Sequence, residues 1–267
     1  MTSPTPLAHR LLRLTRLALH LLRALVIAGL FYPGKAPSIQ QQIRQRWSRQ
    51  LLSLLHIRLV AIETPSVLPD RCMLASNHIS WLDIFVINAV MPATFVSKAD
   101  VAKWPLVGWL CTRAGTLYIE RGSKSGARRA NQNISSSLAS GALVAICPEG
   151  TTTYGDELLM FHAALFQPAV DADASVLPVA LGYRDAMNNL CRNAAYVGDD
   201  SLLDSIWAIV STRQMTATVT FSQSIEISNR ARRTLARAAE TAIATALGVP
   251  VPARAAEKRA DPQAEQQ

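Results

Sequence analysis

Ser76-Asn77-His78-Ile79-Ser80-Trp81-Leu82-Asp83 stands between two kinds of apolar periodicity. Before it, Cys72 to Ala75 is a short apolar run with the length of a buried strand. After it, the segment from Ile79 to Val90 has the spacing of a helix. A strand passing directly into a helix is the repeating unit of an α/β sheet. It puts His78 at a strand end, where open α/β proteins place their chemistry. An aspartate, Asp83, follows five residues on. A general base needs an imidazole near neutral pKa and a carboxylate to orient it. His78 and Asp83 supply both from one segment.

The same alternation continues on either side. Strands are expected over 57–62, 72–75, 94–97, 116–120, 143–147, 176–181, 194–197 and 216–227. Helices are expected over 79–90, 101–113, 125–140, 201–210 and 230–247. This order predicts an α/β fold with a mixed, mostly parallel sheet flanked by helices. The expected organisation is N-terminal membrane-associating helices over 1–56, an α/β domain over 57–249 and a disordered tail over 250–267. There is no internal repeat and no glycine-rich phosphate loop.

Composition narrows the partners. The 267 residues carry a formal charge of +8 and are 49% apolar. A basic, apolar-rich chain points to an anionic surface, nucleic acid or membrane. Aromatics are only 6% and are not interleaved with basic residues as base stacking would require. The expected partner is therefore a membrane, not nucleic acid. The four cysteines, Cys72, Cys111, Cys147 and Cys191, lack metal-ligand spacing. They read as reduced thiols, and no metal site is expected.

Residues 6–32 are leucine-rich and basic, with Arg13, Arg16, His20 and Arg23 along one helical stripe. Arg23 interrupts the roughly 20-residue apolar window that a spanning helix needs. The expectation is an interfacial helix whose polar stripe meets anionic lipid. Packing on the protein's own core and a single-pass anchor are the alternatives. A second helix is expected to start at Ser38, with Gln41 completing a capping box. Its apolar face would be Ile39, Ile43, Trp47, Leu51, Leu54 and Leu55.

Three further blocks lie near expected strand ends: Gly115-Thr116-Leu117-Tyr118-Ile119-Glu120-Arg121, Cys147-Pro148-Glu149-Gly150-Thr151 and Val176-Leu177-Pro178-Val179-Ala180. In this order and spacing, with the His–x4–Asp block, they resemble the PlsC-type glycerolipid acyltransferases over residues 57–221. The resemblance implies that His78 takes the proton of an acceptor hydroxyl and that Asp83 orients the imidazole. It places Asn77, Gly115, Arg121, Glu149, Gly150, Thr151 and Pro178 among the substrate-binding residues. Arg121 would face phosphate and Pro178 the acyl-donor side. It also implies acyl-CoA or acyl-carrier protein as co-substrate, with no other cofactor. The lipid acceptor would be 1-acyl-sn-glycerol-3-phosphate, reached at the cytoplasmic face of the cell membrane.

Two positions depart from the family pattern. Thr152 stands where many lysophosphatidate acyltransferases have arginine, and Glu120 where aspartate is common. The segment from Tyr154 to Phe166 is similar to the lyso-ornithine lipid acyltransferase branch, which makes that lipid the alternative acceptor. Arg113, Arg121 and Arg184 are candidates to replace the missing cation. The other histidines, His9, His20, His56 and His162, are assigned no chemistry.

Overall fold

Strand β2 (Cys72–Ser76) is buried at all five positions, as a strand covered on both faces must be. In the computed structural model, which describes residues 5–120, 124–227 and 231–254, it lies at the centre of a seven-stranded sheet. The order is β1 (Ile57–Ile62), β7 (Met215–Phe221), β6 (Ser175–Asp185), β2, β5 (Val144–Ile146), β3 (Thr94–Lys98), β4 (Leu117–Ile119). Strands β2 to β6 run parallel, while β7 is antiparallel to β6 and β1 runs with β7. This is the mixed, mostly parallel sheet expected from the alternation of periodicities.

The helices are α1 (Leu7–Val26), α2 (Pro37–Leu54), α3 (Asp83–Val90), α4 (Val107–Arg113), α5 (Lys124–Ala139), α6 (Gln167–Asp171), α7 (Leu202–Ser211) and α8 (Arg232–Leu247). Successive strand residues face opposite sides. Cys72 and Leu74 enter a core shared with α2, α3 and α7. Met73 and Ala75 enter a second core shared with α5, α6 and α8. Two residues of α2 serve the end of α3. Gln45 Nε2 donates to Val90 O at 2.9 Å and Arg49 Nε to Ala89 O at 2.7 Å, satisfying carbonyls that a helix end leaves open.

Several elements differ from expectation. Helix α3 begins at Asp83 rather than Ile79, because the Asp83 carboxylate accepts the backbone N–H groups of Ile79 and Ser80 and holds them in a turn. The helix expected over 101–113 breaks into a 3-10 turn, Ala99–Lys103, and α4. Pro105 has no N–H to continue the first piece and keeps Trp104 extended. The strand expected over 194–197 is a 3-10 turn, Arg192–Ala194, followed by unpaired chain. Helix α2 starts at Pro37 after Ala36, with no side-chain cap, so the Ser38 capping box does not form. Strand β7 stops at Phe221. The pairs Val179–Phe221 and Val176–Ile225 are three residues apart on β6 but four on its partner. The extra residue makes a bulge opposite Pro178, which cannot donate to a ladder. At the other end, Val251 packs on the second core and Pro252 O accepts from Arg237. The expected tail is therefore ordered through its first residues. The rest of it lies outside the described residues.

The largest correction concerns α1, which continues as a π-helical turn, Ile27–Phe31. By length and composition, Leu7–Phe31 is apolar enough to cross a membrane. Two residues of its polar stripe, however, face the protein, while Arg16 and Arg23 stay exposed. Arg13 donates to the carbonyls of Val210, Thr212 and Arg213 at the end of α7. His20 stacks on Trp47 with centroids 4.5 Å apart. Both are buried, and Leu7, Leu11, Leu12, Leu19, Leu22 and Val26 point outward. The helix is amphipathic as expected, but its stripe is divided: Arg13 and His20 are taken into the protein, and Arg16 and Arg23 remain at the surface.

Candidate functional site

The parallel ladder between β2 and β6 ends at Ser76–Val179. One more rung is made by a side chain. Asn77 Nδ2 donates to Leu181 O at 3.0 Å, and Leu181 N–H donates to Asn77 Oδ1 at 2.7 Å. The amide replaces the peptide that would have continued the strand, so the main chain can leave the sheet and carry His78 out at its edge. Asn77 is fully buried, and both ends of its amide are engaged by Leu181. These bonds give it a structural part in shaping the site.

His78 is held from three sides. Its N–H donates to Glu149 Oε1 at 2.7 Å, and its carbonyl accepts from Thr153 N–H at 2.9 Å. Its ring Nδ1 lies 2.8 Å from Asp83 Oδ2. The His78 side chain is 26% exposed and Asp83 is fully buried. Asp83 Oδ2 also accepts from Ile79 N–H and Ser80 N–H, at 2.8 and 2.9 Å. Its Oδ1 accepts from the Tyr183 hydroxyl at 2.7 Å. Four donors fix the carboxylate plane. An acceptor on Nδ1 keeps that nitrogen protonated, and the Nε2 lone pair remains to take a proton. Burial disfavours the charged ring, but the Cys147 sulfur and the Asp83 carboxylate outweigh it and hold the imidazole well above its ordinary value. Burial first, then Asp83, push the Tyr183 phenol far up, so it stays a donor.

Glu149 follows β5, whose C-terminal end lies beside that of β2. Its two oxygens join separate segments: Oε1 accepts from His78 N–H and Oε2 from Leu159 N–H, at 2.7 and 2.9 Å. Burial pushes this carboxyl up to about 7, against the two amides, which favour the anion. Gly150, with φ +72°, closes the turn whose N–H returns to Cys147 O. Thr151 is exposed beside it. The Thr152 hydroxyl donates to Tyr196 O, and Tyr196 N–H donates to Ile79 O. The position of the missing arginine is thus tied into the loop that covers the His78 segment.

The remaining candidates are dispersed. Gly115, φ +86°, ends α4: its N–H bonds Thr112 O and that of Thr116 bonds Cys111 O, the pairing of a glycine-terminated helix. Helix termination accounts for it, at the upstream end of β4. Pro178 lies inside the sheet opposite Ala75, below the edge where His78 emerges. Arg121 lies outside the described residues. Strand β4, which leads to it, ends beside Lys98 on the edge shared with β2 and β5. The Arg113 guanidinium sits over the Trp109 ring, 5.4 Å from its centroid, and Arg184 is exposed on β6.

Two site residues were not singled out beforehand. Tyr183 lies in phase with Leu177, Val179 and Leu181, all of which enter the α3-side core. Extending the alternation two residues past the expected strand end would have placed it beside Asp83. Cys147 lies with its Sγ 3.6 Å from Ser76 Oγ and borders the His78 ring. Its position directly after β5 was the available signal.

A family model described as Acyltransferase matches residues 59–182. Among curated proteins, the chain is 36% identical over 211 residues to a lyso-ornithine lipid O-acyltransferase of Pseudomonas aeruginosa, covering 78% of this chain and 80% of that one. It is also 36% identical over 213 residues to a 1-acyl-sn-glycerol-3-phosphate acyltransferase of Neisseria meningitidis, covering 79% and 82%. The fold is similar to the crystal structure of the 1-acyl-sn-glycerophosphate acyltransferase PlsC from Thermotoga maritima, with TM-score 0.62, 16% identity, and 88% and 96% of the two chains covered.

Proposed function

Since this chain belongs to the PlsC-type lysophospholipid acyltransferase family, we propose that it moves a fatty acyl group from acyl-CoA or acyl-carrier protein to the sn-2 hydroxyl of 1-acyl-sn-glycerol-3-phosphate, giving phosphatidate. The observation that carries this reading is the His78–Asp83 pair, a partly exposed imidazole oriented by a buried carboxylate at 2.8 Å. His78 Nε2 takes the hydroxyl proton as the oxygen attacks the thioester carbonyl. Asp83 stabilises the imidazolium that results. The tetrahedral intermediate then expels the thiolate, which takes the proton from His78. A thioester has a good leaving group, so the transfer is direct and no acyl-enzyme forms. Arg121 is assigned to the acceptor phosphate and the exposed Thr151 to the rim of the acceptor pocket. The reaction is assigned to the cytoplasmic face of the cell membrane, which the outward leucines of α1 meet.

One observation favours a second acceptor. Thr152, in the place of a phosphate-binding arginine, has its hydroxyl engaged by Tyr196 O. The Pseudomonas relative is named for lyso-ornithine lipid. The deciding experiment offers purified protein labelled acyl-CoA or acyl-carrier protein with lysophosphatidate or lyso-ornithine lipid, beside His78→Ala. Lysophosphatidate is expected to be acylated and His78→Ala to be inactive. Product from lyso-ornithine lipid alone replaces the acceptor, and near-normal transfer by His78→Ala removes the base assignment.

A further inference from the structure

Between β3 and β4 the chain makes a tip, where the 3-10 turn Ala99–Lys103 passes into α4. Leu106, with φ +61° and ψ −50°, is the centre of a γ-turn closed by Val107 N–H on Pro105 O at 2.6 Å, a strained backbone conformation for an L-residue. Pro105 precedes it, and Gly108 passes so close to the previous turn that a Cβ there would meet the Ala102 carbonyl at 2.3 Å. The strained leucine is not used for packing: it is 64% exposed. Backbone strain that holds an apolar side chain in water calls for an apolar medium to receive it.

The tip is continuous with the outward face of α1. A Cβ on Gly29 would lie 3.6 Å from Trp109 Cη2, so the last turn of that helix seats Trp109. Leu30 and Phe31 beside it are 76% and 58% exposed, and Trp104 and Trp109 are 39% and 40% exposed. Lys103 and Arg113 stand on either side, the first near Asp100 at 3.1 Å and the second over Trp109. Leucine and phenylalanine at the centre, half-exposed tryptophans around them and cations at the margin make the pattern of a bilayer interface. Charge selects a lipid surface over a protein face. Nine of the 27 Lys and Arg residues, and none of the 19 Asp and Glu, precede Glu63.

We propose that the Trp104–Trp109 tip is a second membrane-contact surface, entering the same leaflet of an anionic bilayer as the end of α1. The contact extends the assigned membrane site of action and gives it an orientation. Strand β3 leads into the tip from the sheet edge that carries His78, so insertion brings the mouth of the site to the headgroup plane.

The test uses the full chain with unilamellar vesicles of phosphatidylethanolamine and phosphatidylglycerol, with or without bromine on the acyl chains. Brominated vesicles are expected to quench tryptophan emission. Trp104→Phe/Trp109→Phe is expected to lose most of that quenching while still sedimenting with vesicles through α1. Leu106→Glu is expected to weaken partition about tenfold or more. Leu106→Gly, which relieves the backbone, is expected to weaken it without lowering the melting temperature. Unchanged quenching in the double variant overturns the proposal. So does wild-type partition of both Leu106 variants, or a Leu106-dependent dimer that forms without vesicles. Acyl transfer to a short-chain, water-soluble lysolipid is expected at the wild-type rate in Leu106→Gly, with loss only on vesicle-borne acceptor. If no acceptor is acylated, the functional reading fails, while the quenching result still decides the tip.

Discussion

At the scale of single residues, the site is a set of constraints on one imidazole. Asp83 sets its tautomer, and the same carboxylate with Cys147 holds its proton more tightly than usual. A base must be deprotonated to act, so kcat/KM is expected to rise with pH along a limb that lies above the ordinary imidazole value. A limb at or below that value contradicts the assignment. Tyr183→Phe tests the far end of the chain. It keeps the ring volume but leaves Asp83 Oδ1 bare in a buried place, at a cost of about 1–3 kcal/mol of stability. With one donor gone, Asp83 becomes the stronger acceptor for His78, and the activity limb is expected to move to higher pH. The expected kinetic effect is a fall in kcat of about tenfold, equivalent to roughly 1.4 kcal/mol, at unchanged KM. A KM effect alone, with the limb in place, indicates a merely structural hydroxyl. His78 and Asp83 were legible because five-residue spacing at a strand end carries their geometry. Asn77 and Glu149 were legible as positions, but their backbone partners were not. Whether an amide or a carboxyl points at a ligand or at a neighbouring backbone depends on which strand lies beside it.

At the scale of elements, the periodicities named helices and strands well but not their orientation. Arg13 and His20 on α1 turn inward while Arg16 and Arg23 of the same stripe stay exposed, because Arg13 meets the end of α7, about 200 residues away in sequence, and His20 stacks on Trp47. A buried guanidinium is tolerated only where it finds acceptors, and Arg13 has three. Arg13→Ala is therefore expected to undock the N-terminal end of α1, with a loss of about 1.5–3 kcal/mol read from the denaturation midpoint. Arg13→Lys is expected to recover little, since one ammonium cannot span three carbonyls. Equal midpoints for wild type and Arg13→Ala would show the docking to be dispensable. Proline accounts for several other differences. Pro105 splits one expected helix, Pro37 takes over the start of another, and the β7 bulge falls opposite Pro178. Each was visible as a residue, but its local effect depends on neighbours that sequence spacing does not supply.

At the scale of the whole molecule, the sheet order was the part least accessible beforehand. Alternating strands and helices imply parallel pairing, yet nothing local dictates that β2 should sit between β5 and β6, and that arrangement is what brings Glu149 to His78. It also has a consequence for folding itself. His78 and Glu149 both hold a proton more tightly in the folded chain than in the unfolded one, the latter with a folded value of about 7 against 4.5. Folding near neutral pH therefore takes up protons from solution. Their contribution to stability is complete below the unfolded values and is lost as pH rises through the folded ones. For Glu149 that amounts to roughly 3 kcal/mol at most. The melting temperature is expected to fall between about pH 5 and about pH 8, and Glu149→Gln to flatten that fall. An equal slope in both proteins would show that the carboxyl is not the source. On the proposed role of His78 as base, the proton on His78 that strengthens the fold is also the one that would stop turnover, so the pH of greatest stability and the pH of fastest turnover are expected to lie apart.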